Sequence, residues 1–494
     1  MRTTFKRAFA IVLCELLALL PASGAAQGPQ TTPERASAAA PQPALRDVLQ
    51  QGYLELFQTV PDMHFSAAEI AAQRAALEQG KKTCVTRFKD HAKAYQKQLE
   101  ATQKELKQTT TGLSDAQRKN LHCGIQNLDL LRSEAQVLAN NAIPTAYGNL
   151  SAKLELVQSW PAQYRQIQRD IATKAYESRR WGDVKDIGFR VIAAKQEDDI
   201  KRGQQAVEEM KRAGLLPPAV EDKAIQDYVN TLGQNIARNS DLKIPLHISV
   251  LQSREINAFA LPGGYLFVER GLLEAADDES ELAGVIAHEI AHDAARHSNK
   301  MMKRATIASI FYQAAQIAAT VLTGGVAGIG TYYALQYGFY GIGLVLNLQL
   351  LGVSRDYELE ADQLGIQYAW KAGYDPSGFV RFFDKMATKK GYVNSVSWFR
   401  THPPFYQRMV DSEREMMYLP ANPQMVVQSS RFEQMKQELA PITAKAEKED
   451  VNKPSLLISR EEGCEAPSKI EYKTDQRIEE LCTRPLQAAP AGAQ

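Results

Sequence analysis

The pentapeptide His288-Glu289-Ile290-Ala291-His292, set in a segment that reads as a buried helix, constrains this chain more than any other feature. Residues four apart lie one above the other on a helix, so both imidazoles can point at one metal ion with Glu289 beside it. Asp278 with Glu281 three residues on forms a capping-box pattern, and Leu282, Val285, Ile286 and Ile290 recur at helical spacing. The motif is therefore expected in the middle of a helix that starts near Asp278. His64, His91, His122 and His247 have no partner at ligand spacing. On a continuing helix His297 rotates off the face of His292, which predicts a structural or surface role for it.

A hydrolytic metal site needs three protein ligands and one open position, so a third ligand must come from elsewhere. Downstream, Tyr357, Ala361, Leu364 and Tyr368 are spaced as one face of a helix that stops near Gly373, with Glu358 and Asp362 a turn apart on the next face. One of these carboxylates can bind the metal while the other orients a ligand histidine. Glu360 competes with Glu358 for the ligand position.

Together, His288-Glu289-x-x-His292, Glu358-x-x-Ala361-Asp362 and Thr401-His402-Pro403 resemble the zinc metallopeptidase family that includes HtpX and the CAAX prenyl protease. The longer run to His297, with Asn257-Ala258-Phe259-Ala260-Leu261-Pro262-Gly263-Gly264 upstream, is most similar to its soluble periplasmic BepA-like branch. The resemblance covers about residues 220 to 415. It implies one Zn2+ held by His288, His292 and Glu358, with Glu289 as general base and Asp362 as the partner of a ligand histidine. It also implies that His402 approaches the metal from the far side, either holding the oxyanion or blocking the water site, and that Arg408 braces the Glu358 helix.

The fold class expected is α+β, mainly helical, with a zincin-type domain and a small antiparallel sheet. For the sheet, Leu246 to Leu251 alternates, and Ala258 to Leu261 and Tyr265 to Val268 flank a Pro262-Gly263-Gly264 turn. An extended protein substrate is expected along the sheet edge at Asn257, Ala258, Phe259 and Ala260, held by main-chain hydrogen bonds.

Residues 1–26 combine Arg2, Lys6 and Arg7, an apolar stretch broken by Glu15, and a small-residue end, which describes a secretory signal peptide and so a periplasmic or otherwise exported protein. Four cysteines remain after it. An even count in an exported chain favours disulfides, and pairing of nearest neighbours gives Cys84 with Cys123 and Cys464 with Cys482. The first of these pairs sits at different heights on a continuous hairpin and requires a break in it; free buried thiols are the alternative.

Residues 27–60 are expected to be a flexible leader, 61–215 a helical region, 216–415 the peptidase domain and 416–494 a C-terminal extension. Capping boxes stand at Ser66 with Glu69 and at Ser114 with Gln117. Between Arg304 and Arg355 there is no charged residue, so 305–354 reads as an uncharged hairpin that spans, dips into or avoids a membrane and offers contact to membrane surface or envelope proteins. With 58 basic and 57 acidic residues the formal charge is +1, and nothing points to nucleic acid.

The function expected is hydrolysis of peptide bonds in misfolded or stalled envelope proteins by zinc-activated water. The alternative is a chaperone or assembly factor, non-catalytic or with a dual role, that keeps zinc for structure. Glu289 argues against the purely structural version, because a structural site has no use for it and usually closes with four protein ligands.

Overall fold

Ser66 opens the first long helix as its sequence pattern demands: its hydroxyl accepts from the Glu69 amide at 3.2 Å, and the Glu69 carboxylate accepts from the Ser66 amide at 2.8 Å. The computed structural model describes residues 42–108, 112–174, 196–212, 216–297, 355–390, 406–451, 464 and 478–486. The signal segment 1–26, the uncharged interval 305–354 and His402 lie outside the described residues.

Short helices α1 (Leu45–Val48) and α2 (Tyr53–Thr59) precede α3 (Ala67–Gln108), α4 (Asp115–Val137) and α5 (Ile143–Ala172). Ser114 and Gln117 form the second expected capping box, at the start of α4. The leader expected to be flexible up to residue 60 is instead ordered from α1 onward. Leu45, Val48, Tyr53, Leu56 and Phe57 are buried, the Trp160 indole donates to the Phe57 carbonyl at 3.1 Å, and the buried Lys153 ammonium donates to the Gln51 carbonyl at 2.5 Å. Burying apolar side chains of this size contributes about 1.5–3 kcal/mol each, which outweighs the disorder that the upstream composition suggests.

The chain continues as α6 (Gln196–Arg212), α7 (Lys223–Arg238), β1 (His247–Leu251), β2 (Ala258–Leu261), β3 (Tyr265–Glu269), α8 (Arg270–Ala275) and α9 (Glu279–Ala294). Next come α10 (Arg355–Lys371), α11 (Ser377–Lys390), α12 (Tyr406–Tyr418), α13 (Ser430–Val451) and α14 (Ile478–Thr483). Described residues from Pro43 onward belong to one unit, and side chains of α3 to α5 share a core cluster with those of α7 to α12.

The architecture is α+β, but its sheet is mixed rather than wholly antiparallel. β2 and β3 form the expected hairpin, Ala258 opposite Val268 through Leu261 opposite Tyr265. β3 then takes the centre and pairs with β1 in parallel, His247 opposite Tyr265 through Leu251 opposite Glu269. Alternation reveals strands and a tight turn reveals a hairpin, but neither encodes which strand sits in the middle.

All sixteen residues of α9 are buried, so it is a central helix rather than one with a single apolar face. Its start is capped as expected, the Asp278 carboxylate accepting from the Glu281 amide at 3.0 Å, whereas the Glu281 carboxylate reaches the Asp277 amide instead of closing the box on Asp278. β2, α7, α10 and α11 all pack on α9. Close approach of α10 depends on Gly365, where a Cβ would lie 2.9 Å from the His288 backbone.

Two disulfides correct the expected pairing. They join Cys84 to Cys482 and Cys123 to Cys464, so each ties the α3–α4 hairpin to the C-terminal extension. The mismatch of height between Cys84 and Cys123 on antiparallel helices is met by crossing to a distant segment instead of by a break in α3. α14 lies against α3 with Ile478 and Leu481 buried, and the Arg87 guanidinium donates to the Thr483 and Arg484 carbonyls.

Candidate metal centre

α9 and α10 bring together the residues that the sequence places in two separate patterns. One ligand atom each from His288, His292 and Glu358 lie within 4.8 Å of one another, and all three side chains are buried. The Nε2 atoms of the two histidines are 3.0 Å apart, and Glu358 stands 3.6 Å from the first and 3.4 Å from the second. The gaps around Glu358 exceed hydrogen-bond length, which suits a shared cation better than direct contact.

Each imidazole is fixed from behind. Nδ1 of His288 lies 2.8 Å from an oxygen of Asp362, and the ring stacks on Phe379. The Asp362 carboxylate thus stands behind the ring at Nδ1, while Nε2 lies on the side of the shared point. Nδ1 of His292 lies 3.0 Å from Nδ1 of His297. His297 is fully buried, so of the structural or surface role expected for it only the structural one is open. The helix ends at Ala294 and Arg296 adopts a left-handed φ of 58°, which swings the next residue back toward His292. No glycine or proline marks that helix end, so sequence carried no signal for the reversal.

Arg408, from α12, binds both acids of α10. Its guanidinium donates to Asp362 at 2.6 and 2.7 Å and lies 3.0 Å from Glu358. Burial pushes the Asp362 carboxyl up to about 6, with the Arg408 charge pulling the other way. Glu360, the competitor for the third ligand position, points instead to Nε2 of His297 at 2.9 Å.

Glu289 is buried beside the three donors and outside their set. Burial, then the neighbouring Glu358 charge, push its carboxyl well above the usual range, opposed by a hydrogen bond from the Ala260 amide. Thus edge strand β2 touches the acid that stands next to the donors. Of the residues expected at the substrate edge, Asn257, Ala258 and Phe259 are buried and Ala260 is half-buried. Asp293, which sequence analysis passed over, accepts from the Gly264 amide and so ties the β2–β3 turn to α9.

The described residues contain a donor set suited to zinc: two imidazoles and one carboxylate. No helix among them is long and apolar enough to cross a membrane.

Residues 223–415 match the family described as Peptidase family M48. The Beta-barrel assembly-enhancing protease of Yersinia pestis is 29% identical over 227 residues, which cover 44% of this chain and 44% of that protein. Metalloprotease LoiP of Escherichia coli (strain K12) is 31% identical over 206 residues, 41% of this chain and 75% of that protein. The Mitochondrial metalloendopeptidase OMA1 of Schizosaccharomyces pombe is 33% identical over 173 residues, 34% of this chain and 46% of that protein. The chain thus spans less than half the length of the first and third of these relatives.

Proposed function

Because the chain belongs to peptidase family M48, we propose that it is a zinc-dependent endopeptidase, with His288, His292 and Glu358 holding the ion and Glu289 as general base. The observation that carries this reading is the convergence of those three donors from two helices, with Glu289 alongside but not among them.

Bound there, zinc would polarise the scissile carbonyl and make a neighbouring water acidic enough to react near neutral pH. Glu289 takes the proton from that water and delivers it to the leaving amine. The Ala260 amide fixes the Glu289 carboxylate against β2. A substrate strand laid along Asn257 to Ala260 is held by main-chain groups, so recognition tolerates many sequences. Arg408 sets its positive charge against Asp362 and one side of Glu358, offsetting part of what burial costs both carboxylates. His402 is assigned the oxyanion side, or the resting block of the water position, from the family pattern alone.

For clients, we propose misfolded or stalled envelope proteins, supported by relatives whose names refer to β-barrel assembly. An exported location is supported by the signal pattern at the start of the sequence and by four cysteines joined in two disulfides. Contact of 305–354 with a membrane surface remains part of the proposal.

The test is Glu289→Gln. It should retain zinc and the melting temperature while losing cleavage of an unfolded casein-like protein by at least about a hundredfold. Cleavage at the wild-type rate refutes the assignment. If the variant restores envelope integrity in cells lacking the protein, the assembly-factor reading takes its place.

A further inference from the structure

Behind His292 stands a chain of two further side chains whose chemistry has one consistent arrangement. Nδ1 of His292 is 3.0 Å from Nδ1 of His297, and Nε2 of His297 is 2.9 Å from a carboxylate oxygen of Glu360. A ligand that presents Nε2 as a lone pair carries its proton on Nδ1. That proton can be donated only to an unprotonated Nδ1 on His297, which then carries its own proton on Nε2 and donates it to Glu360. Every polar atom of both rings is thereby assigned.

We propose that His297 and Glu360 are positioning residues for the metal ligand His292, transmitting the charge of Glu360 through the His297 ring to hold His292 in the tautomer and orientation that bind the ion. The inference deepens the zinc-peptidase reading and rests on His288, His292 and Glu358 being the ligand set.

Three observations support a built relay rather than a chance contact. His297 is fully buried, and its ring stacks on Tyr357 of α10 with centroids 4.5 Å apart and planes 13° off parallel. The ring is thus held from its face by the helix that carries Glu358, and at its edge by Glu360 of the same helix. The reversal that delivers it uses a left-handed backbone at Arg296, which costs free energy at a non-glycine residue. That residue is pinned by a 2.6 Å ion pair with Asp199 of α6. Finally, the two ligand histidines receive matched support of different length. His288 meets the carboxylate of Asp362 directly, while His292 reaches that of Glu360 through one imidazole.

Carboxylate support behind a metal-bound histidine commonly changes metal affinity by about 10- to 100-fold. We compare wild type, His297→Leu, His297→Asn and Glu360→Gln for zinc affinity against a competing chelator, for the visible spectrum of the cobalt(II)-substituted protein, and for the melting temperature of the metal-free chain. His297→Leu should weaken zinc binding by about 10- to 100-fold and change the cobalt spectrum. His297→Asn, whose amide oxygen replaces Nδ1 as acceptor, should recover most of the affinity. Glu360→Gln, at a half-exposed position, should weaken zinc by several-fold with an unchanged metal-free melting temperature.

Zinc affinity of His297→Leu within twofold of wild type, with the cobalt spectrum unmoved, overturns the relay. Equal losses in the Leu and Asn variants that track a lowered metal-free melting temperature also overturn it, since they reduce His297 to packing. Should His297→Leu fail to fold, Glu360→Gln decides, and undiminished zinc affinity there is fatal. Failure of the underlying reading looks different: wild type itself binds no zinc, or His288→Ala binds it as well as wild type does.

Discussion

Gly365 of α10 faces the backbone of His288 so closely that a methyl group on it would sit 2.9 Å from the His288 amide nitrogen and Cα. Both helices are buried at this crossing, so neither can shift without moving a donor. Gly365→Ala should therefore separate Glu358 from the two imidazoles. We expect a loss of about 1–3 kcal/mol in stability and a parallel loss of zinc binding, measured by denaturant melts and metal titration. Full zinc occupancy in a normally stable variant would show that the crossing has slack.

Glu358→Ala should bring zinc content in the purified protein close to zero, because removal leaves only two imidazoles at the shared point. Elemental analysis after dialysis checks this. Zinc retained at one ion per chain would move the third ligand elsewhere.

On α12, burial pushes the Glu413 carboxyl up to about 7 from 4.5. The folded state holds that proton more tightly than the unfolded state does. Stability from this group is therefore present below about pH 4.5 and lost as pH rises through about 7. Glu413→Gln should raise the melting temperature at pH 8 and leave it nearly unchanged at pH 5. A shift of the same size at both values removes burial of the charge as the cause.

Cys482→Ser combined with Cys84→Ser should cost roughly 2–5 kcal/mol, and α14 should become the first segment cut by limited proteolysis. Peptide mapping without reductant should recover the Cys84 peptide linked to that of Cys482. A Cys84–Cys123 link in that map contradicts the structure.

The donor set was legible in the sequence because it depends on spacing within single helices: His288 and His292 on α9, Glu358 and Asp362 on α10. Caps at Ser66, Ser114 and Asp278 were legible for the same reason, each being a contact across a few residues. What escaped was set by tertiary context. The role of His297 turns on a left-handed residue that is not glycine, and the pairing of β1 with β3 on strand order. Early order at α1 and α2 comes from partners such as Trp160 and Asp384, the latter accepting from the Tyr53 amide at 3.1 Å. None of these partners is near in sequence.

The two cross-links have a consequence for biogenesis. Sulfurs at positions 84 and 123 have no correct mate until 398 and 341 further residues have been made. During that interval the nearest available mate for each is the other, so an oxidising folding environment must either delay their coupling or reverse it. Maturation of the protein is thus predicted to depend on a thiol isomerase, and secretion in its absence should accumulate a hairpin locked on itself with its tail unmoored.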